Sequence, residues 1–183
     1  GSFRRSAPAP VRGAPARVRC GELGEPRVLT GACQQDWWFE DTDWNWRLDA
    51  ERAGELRSLA DIGSHWLDLM SWISGRRVTE VCADLHTFIP VRYRPHGEVE
   101  TFSGASVAGG EPVSIDTDDA ASVLLRLAGG ARGPVAVSAV SAGRRNALRL
   151  EPPGATRAWT RRSARPDPTG ARRRRSTGRA PVP

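Results

Sequence analysis

The sequence predicts an α+β fold: a predominantly antiparallel β-sheet with helices packed on one face. Three observations point there. The stretch "DIGSHWLDLMSWIS" (61–74) carries a helical apolar stripe of Ile62, Trp66, Leu69, Met70 and Ile73. Strands dominate the second half of the chain, where short runs alternate apolar and polar residues. The turn "AGGAR" between two of those runs supplies Gly at hairpin positions. One helix followed by several strands is the pattern of a sheet backed by helices, not of a repeating βαβ unit.

Taken in chain order, "GELGEPRVLTGAC" (21–33) reads as a turn followed by a strand, with Gly24 and Pro26 as punctuation. The Trp- and acid-rich segment 34–58 is too polar and aperiodic for a strand and reads as irregular. The helix 61–74 follows, with Asp61 placed as an N-cap or first-turn acid and Gly75 as its stop signal. "RRVTEVCADLHTFIPV" alternates, with Val81, Ala83 and Leu85 on one face and Glu80, Asp84 and His86 on the other, so a half-buried strand is expected. Residues 92–112 read as a loop or excursion. Three further strands are expected at about 119–127, 133–141 and 146–151.

Length and charge narrow the class. At 183 residues the chain suits one domain with a real core. Its net charge of +6 and pI near 10.7 invite a nucleic-acid reading, but position argues against it. From Glu151 onward there are nine Arg and two acids, whereas residues 1–150 carry eighteen Arg against nineteen acids. The body is therefore nearly neutral, and no nucleic-acid-binding motif accompanies the surplus. All 27 basic residues are Arg. The organisation expected is an Arg/Pro/Ala-rich segment 1–19, a domain at 20–151 and an Arg/Pro-rich tail 152–183 with disorder as its default. Both ends have the texture that a shifted reading frame gives in GC-rich coding sequence. No apolar run is long enough to span a bilayer. Cys20, Cys33 and Cys82 form no CxxC pair and read as reduced thiols of a cytoplasmic protein.

Asp61, His65 and Asp68 recur once per turn on one side of the helix. Three readings stand open for them. They are a helix cap with a structural His–Asp pair, or a metal site, or a proton-transfer site with His65 as acid/base oriented by Asp61 or Asp68. A metal would need another ligand, and His86 and His96 are the other histidines. Trp37, Trp38, Trp44 and Trp46 are either core or a platform for a sugar ring, with Arg47 placed to bind hydroxyls. "AGRRN" (142–146) either brings Arg144 and Asn146 to a polyol or anionic ligand or simply connects two strands.

The order "GELGEPRVLTG", "QDWWFEDTDWNWRLD", Gly54, "DIGSHWLDLMSWISG", "VTEVCADLHT" and "DDAASVLLRLAGGARGPVAVSAVSAGRRN" resembles the second domain of the Gfo/Idh/MocA oxidoreductases, over about residues 20–151. The Asp-x-Gly-x-His-x-x-Asp core falls at Asp61, Gly63, His65 and Asp68. The resemblance implies His65 as catalytic acid/base assisted by Asp61, with Trp46, Arg47, Asp68, Arg144 and Asn146 around a sugar or polyol. It implies NAD or NADP as cofactor, held by a Rossmann domain. It also implies assembly, as a homo-oligomer or with a separately encoded Rossmann domain. No Gly-x-Gly-x-x-Gly follows a strand in this chain, and the catalytic Lys of the family's Glu-Lys-Pro motif cannot come from a chain without Lys. The expectation is therefore a fragment that binds no cofactor and is inactive alone. A non-catalytic assembly module and a metal-dependent site on Asp61, His65 and Asp68 are the alternatives.

Overall fold

A computed structural model of the chain describes residues 16, 18, 20, 21, 24–96, 110–151, 161 and 162. The readings of segments 1–19 and 152–183 lie almost wholly outside these residues. Strand β1 (Thr30–Gln34) is followed by a 3-10 turn at Trp46–Leu48 and a single helical turn, α1 (Ala50–Ala53). A π-helical turn at Leu59–Gly63 runs directly into α2 (Ser64–Ser74). Strands β2 (Val78–His86), β3 (Val91–Arg94), β4 (Glu111–Ser114), β5 (Ala120–Leu127), β6 (Arg132–Ser138), β7 (Ala147–Glu151) and β8 (Arg161–Arg162) complete the chain order. Six strands form the main sheet in the order β2-β5-β6-β1-β7-β8, and β3 and β4 pair separately. Every neighbouring pair is antiparallel except β1 with β6. The architecture is thus α+β with a predominantly antiparallel sheet.

The core forms where the helix stripe meets one face of the sheet. Ile62, Trp66, Leu69, Met70 and Ile73 are all buried, as are Val123, Leu125 and Leu127 of β5, Val135 and Val137 of β6, and Leu148 and Leu150 of β7. Each such side chain contributes about 1.5–3 kcal/mol when fully buried. Alternation is clean along β5 and β6, with Leu124 and Pro134 turned to the opposite, open face. Gly75 ends α2 in the left-handed conformation at φ 66°, and its N–H reaches the Ser71 carbonyl.

Helix and sheet are also tied by one directed bond. Trp66 Nε1 donates to the Arg149 carbonyl at 2.8 Å, so the indole of α2 reaches across β1 to β7. It crosses at Gly31, where an added Cβ would overlap both the indole nitrogen and the Arg149 carbonyl oxygen. Gly31 is therefore a close-approach glycine, and this explains a residue with poor strand propensity in the middle of a sheet.

The structure corrects three expectations and decides between two readings of Asp61. Asp61 is an acid of the first helical turn and not the N-cap: helical bonding begins earlier, and Asp61 N–H itself donates to the Arg57 carbonyl at 2.8 Å. The cap comes from a distant residue, since the Asp118 carboxylate accepts from the N–H groups of Arg57 (2.7 Å) and Leu59 (2.8 Å). β2 is not half-buried. Among the described residues it is an edge strand, with Val81 61% and Leu85 37% exposed on its apolar side. The excursion 92–112 contains parts of two paired strands, and segment 34–58 contains two short helical turns. Periodicity fails in such short elements because three or four residues hold less than one repeat.

Replacing Gly31 by Ala should force the Trp66 indole off its carbonyl partner. Urea unfolding is expected to show a loss of about 1–3 kcal/mol. A variant as stable as the parent would show that the indole bond does not hold the layers.

A candidate polar site at the start of the long helix

The segment that carries the aromatic and acidic residues is anchored by buried charge. Asp119, 0% exposed, accepts from Nη2 of Arg57 and from Nη2 of Arg92, the latter at 3.0 Å, and from the Ile89 N–H at 2.8 Å. Arg92 also donates to the carbonyls of Trp38 (2.8 Å), Glu40 (2.8 Å) and Asp43 (3.5 Å). Arg57 adds bonds to the carbonyls of Asp118 (3.2 Å) and Thr117 (3.3 Å) and stacks over the Trp38 ring at 5.0 Å. Burial lowers the pKa of both guanidinium groups, and the charge of Asp119 opposes it in each. The network therefore clamps the start of the helical stretch, the Trp segment and β3 onto the first residue before β5.

Within that frame Arg47 and Asp61 meet. Arg47 Nε donates to Asp61 Oδ1 at 3.1 Å, and its guanidinium lies 4.7 Å over the Trp46 ring. Both charged side chains are roughly one-fifth exposed, so the pair is reachable from solvent. Asn45 sets the turn by accepting the Arg47 N–H at 2.8 Å. Asp61 sits in the π-helical turn, a local widening often found at functional sites. Ser64 Oγ donates weakly to its carbonyl at 3.4 Å. His65 follows one turn on and is exposed, and Asp68 is half-buried. The turn lies against β6, where a Cβ on Gly63 would stand 3.2 Å from Val137. Beneath it, the Cys33 thiol is pushed up to about 12, first by burial and then by the charge of Asp61.

A second polar group closes the same end of β1. Gln35 is 4% exposed, and its Nε2 donates to Asn146 Oδ1 at 3.3 Å. Its main chain brackets the turn before β7, donating to the Ser138 carbonyl and accepting from the Ser141 N–H, both at 2.8 Å. Asn146 is exposed in that turn, and so is Arg144, whose N–H donates to Ser141.

The structure thus gathers Trp46, Arg47 and Asp61, brings Asn146 to Gln35, and leaves Arg144 on an exposed turn. Of the four tryptophans, Trp38 belongs to the buried frame, and Arg94 stacks over Trp44 at 4.9 Å. Trp46 is the most exposed at 42%, but the guanidinium of Arg47 lies over its ring. Sequence reasoning passed over Gln35, Arg57, Arg92, Asp118 and Asp119. Only the doubled acid "DD" ahead of a strand hinted at the last two. Among the described residues, no three His, Cys, Asp or Glu side chains are gathered to hold a metal. No described helix is long and apolar enough to cross a membrane.

The fold is an open-faced, mostly antiparallel sheet backed by one long helix, with Asp61 in the turn that leads into it and His65 near its start. The family model for the GFO/IDH/MocA C-terminal domain matches residues 11–155, and the chain belongs to that family. A levoglucosan dehydrogenase of Pseudarthrobacter phenanthrenivorans is 29% identical over 132 residues, which are 72% of this chain and 33% of that protein. The crystal structure of an oxidoreductase domain protein from Kribbella flavida superposes with a TM-score of 0.72 at 32% identity, covering 83% of this chain and 38% of the other. Levoglucosan dehydrogenase in complex with NADH and L-sorbose gives 0.69 at 27% identity, covering 81% and 36%. The chain therefore spans about a third of the length of these relatives.

The buried Cys33 separates chemically from Cys20 and Cys82, which are exposed. At pH 8 a thiol reagent should modify two cysteines in the native protein and the third only in denaturant. Because folding raises the Cys33 pKa from 9.0 to about 12, its stabilising effect is fully present below pH 9. It is lost as pH rises toward 12, so unfolding free energy should fall across that window more steeply than in Cys33→Ala. Equal slopes would contradict the burial assigned to this thiol.

Proposed function

We propose that the chain is the substrate-side part of an NAD(P)-dependent sugar or polyol dehydrogenase, with His65 as acid/base and Asp61 as its positioning partner. The observation that carries this is the Arg47–Asp61 pair at 3.1 Å, in the turn that leads into the helix of an exposed His65. Oxidising an alcohol requires that the hydroxyl lose its proton, and an exposed imidazole one helical turn from a fixed carboxylate suits that transfer. Trp46, Arg47, Asp68 and Asn146 would border the sugar, with Arg144 at the rim. Levoglucosan, named in the relatives, supplies the model substrate.

Among the described residues there is no strand, Gly-rich turn and helix of the dinucleotide-binding type, so these residues do not fit the cofactor. A nicotinamide held by a Rossmann domain would supply the hydride acceptor. That domain, or a second copy of this chain, would find its place on the open sheet face. There Leu124 is 60% exposed, and shallow depressions of about 300 and 400 Å³ lie beside it. A cytoplasmic setting suits such a cofactor and the three cysteines.

The test joins this chain to the cofactor-binding part of the levoglucosan dehydrogenase. The isolated chain should not oxidise levoglucosan with NAD+, the joined protein should, and His65→Asn should lower its kcat by about 10²- to 10⁴-fold. Turnover by the isolated chain, or an unaffected His65→Asn, would contradict the reading.

A further inference from the structure

The main sheet ends in a strand that is built to be paired. β2 lies against β5 on one side, and no described strand pairs with its other side. Every residue of β2 after Val78 is exposed, and no Pro, Lys or Arg interrupts the strand. Natural sheets blunt an edge with such residues or with bulges, because a row of free N–H and C=O groups is a template for another strand. β2 has a single bulge, between Val78 and Glu80, which leaves the run 80–86 regular and open.

The two faces of that run define what would pair with it. Val81, Ala83 and Leu85 stand opposite Leu125, Val123 and Ala121 of β5, so they share the face on which the core forms. Glu80, Cys82, Asp84 and His86 share the open face, where Glu80 meets Arg126 at 2.8 Å. A partner strand must bring apolar residues to the first face and a donor for carboxylates to the second. β2 itself has both, in Val81 with Leu85 and in His86.

Symmetry and charge then select one register. Two antiparallel copies of β2 are related by a two-fold axis normal to the sheet, so one residue must lie opposite its own copy. An axis at Ala83 pairs the whole regular run 80–86: Glu80 with His86, Val81 with Leu85, and Cys82 with Asp84. An axis at Cys82 shortens the run to 80–84 and sets Glu80 against Asp84. One at Asp84 shortens it to 82–86 and sets that acid against itself, and like charges directly opposite destabilise a pair. Axes at Val81 or Leu85 leave only 80–82 or 84–86. We propose that β2 pairs with β2 of a second copy about Ala83, joining two six-stranded sheets into one. Glu80 then lies between Arg126 of its own chain and His86 of the second copy. The contact is an edge, separate from the open face that Leu124 marks, and it requires neither sugar nor cofactor. So short a pairing makes a weak, reversible dimer.

The experiment follows the complete 183-residue chain by sedimentation velocity from about 1 to about 200 µM. The wild type should pass from monomer to dimer in that range. Val81→Lys, which puts a charge opposite Leu85, and His86→Glu, which sets acid against acid, should each weaken the dimer about tenfold or more. Both positions are exposed, so Tm should stay near that of the wild type. The register is read by oxidation. Directly opposite Cβ atoms stand about 4.5–5.5 Å apart and diagonal ones about 7 Å, and a disulfide needs the shorter approach. Ala83→Cys, with Cys20 and Cys82 changed to Ser, should therefore give a covalent dimer, and Cys82 with Cys20→Ser and Ala83 intact should not. Leu124→Lys should leave the Ala83→Cys cross-link in place. A wild type monomeric at every concentration, or edge variants that associate as the wild type does, would overturn the pairing. So would a cross-link through Cys82 in place of Ala83→Cys, or one abolished by Leu124→Lys, which would assign the contact to the open face.

Discussion

One carboxylate holds the structure's separate parts in register. Asp119 has no exposure to water, and it takes hydrogen bonds from two arginines and a main-chain N–H that come from three different segments. Through Arg57 it fixes the start of the helical stretch, through Arg92 the Trp-rich segment, and through Ile89 the connection out of β2. Asp118 beside it caps the helical stretch. The segment that carries Arg47 has only short helical turns of its own, so its placement depends on this pair of acids, which also holds the start of the helical stretch of Asp61.

Such a frame is not the cheapest way to fill a core. Two guanidinium groups and a carboxylate lose their hydration together, and apolar residues of equal volume often serve stability as well or better. What the charges add is direction. A guanidinium satisfies several carbonyls at fixed angles, and Arg92 does so for Trp38 and Glu40, which an apolar side chain could not orient. Removing one partner strands the others in a dry interior, so the frame stands or fails as a unit. A segment held this way can bring Arg47 to Asp61 of the helical stretch with only a 3-10 turn of its own.

The parts of the fold legible in the sequence were those with enough repeats to show a period. The stripe from Ile62 to Ile73 fills one face of α2, and the alternation of β5 and β6 is seen residue by residue. The cap of the helix was not legible, because its partner Asp118 lies some sixty residues away and local pattern reading has no access to such a distance. β2 alternated as a buried strand would, yet burial is decided by what packs over a strand, and nothing described covers its apolar side. At the site, Asp61 and His65 were visible because helical spacing put them one turn apart. Gln35 was not, because its side-chain partner Asn146 lies 111 residues away.

The account's central claim is that the Asp119 frame, not local propensity, holds the site segments to the sheet. Hydrogen exchange of Arg92→Met tests it most directly. The account predicts that amides of Trp38 through Leu48, and those at Arg57 through Asp61, lose protection together, while β5, β6 and β1 keep theirs. Protection that falls evenly over the whole chain, or stays unchanged in the Trp segment, would contradict it.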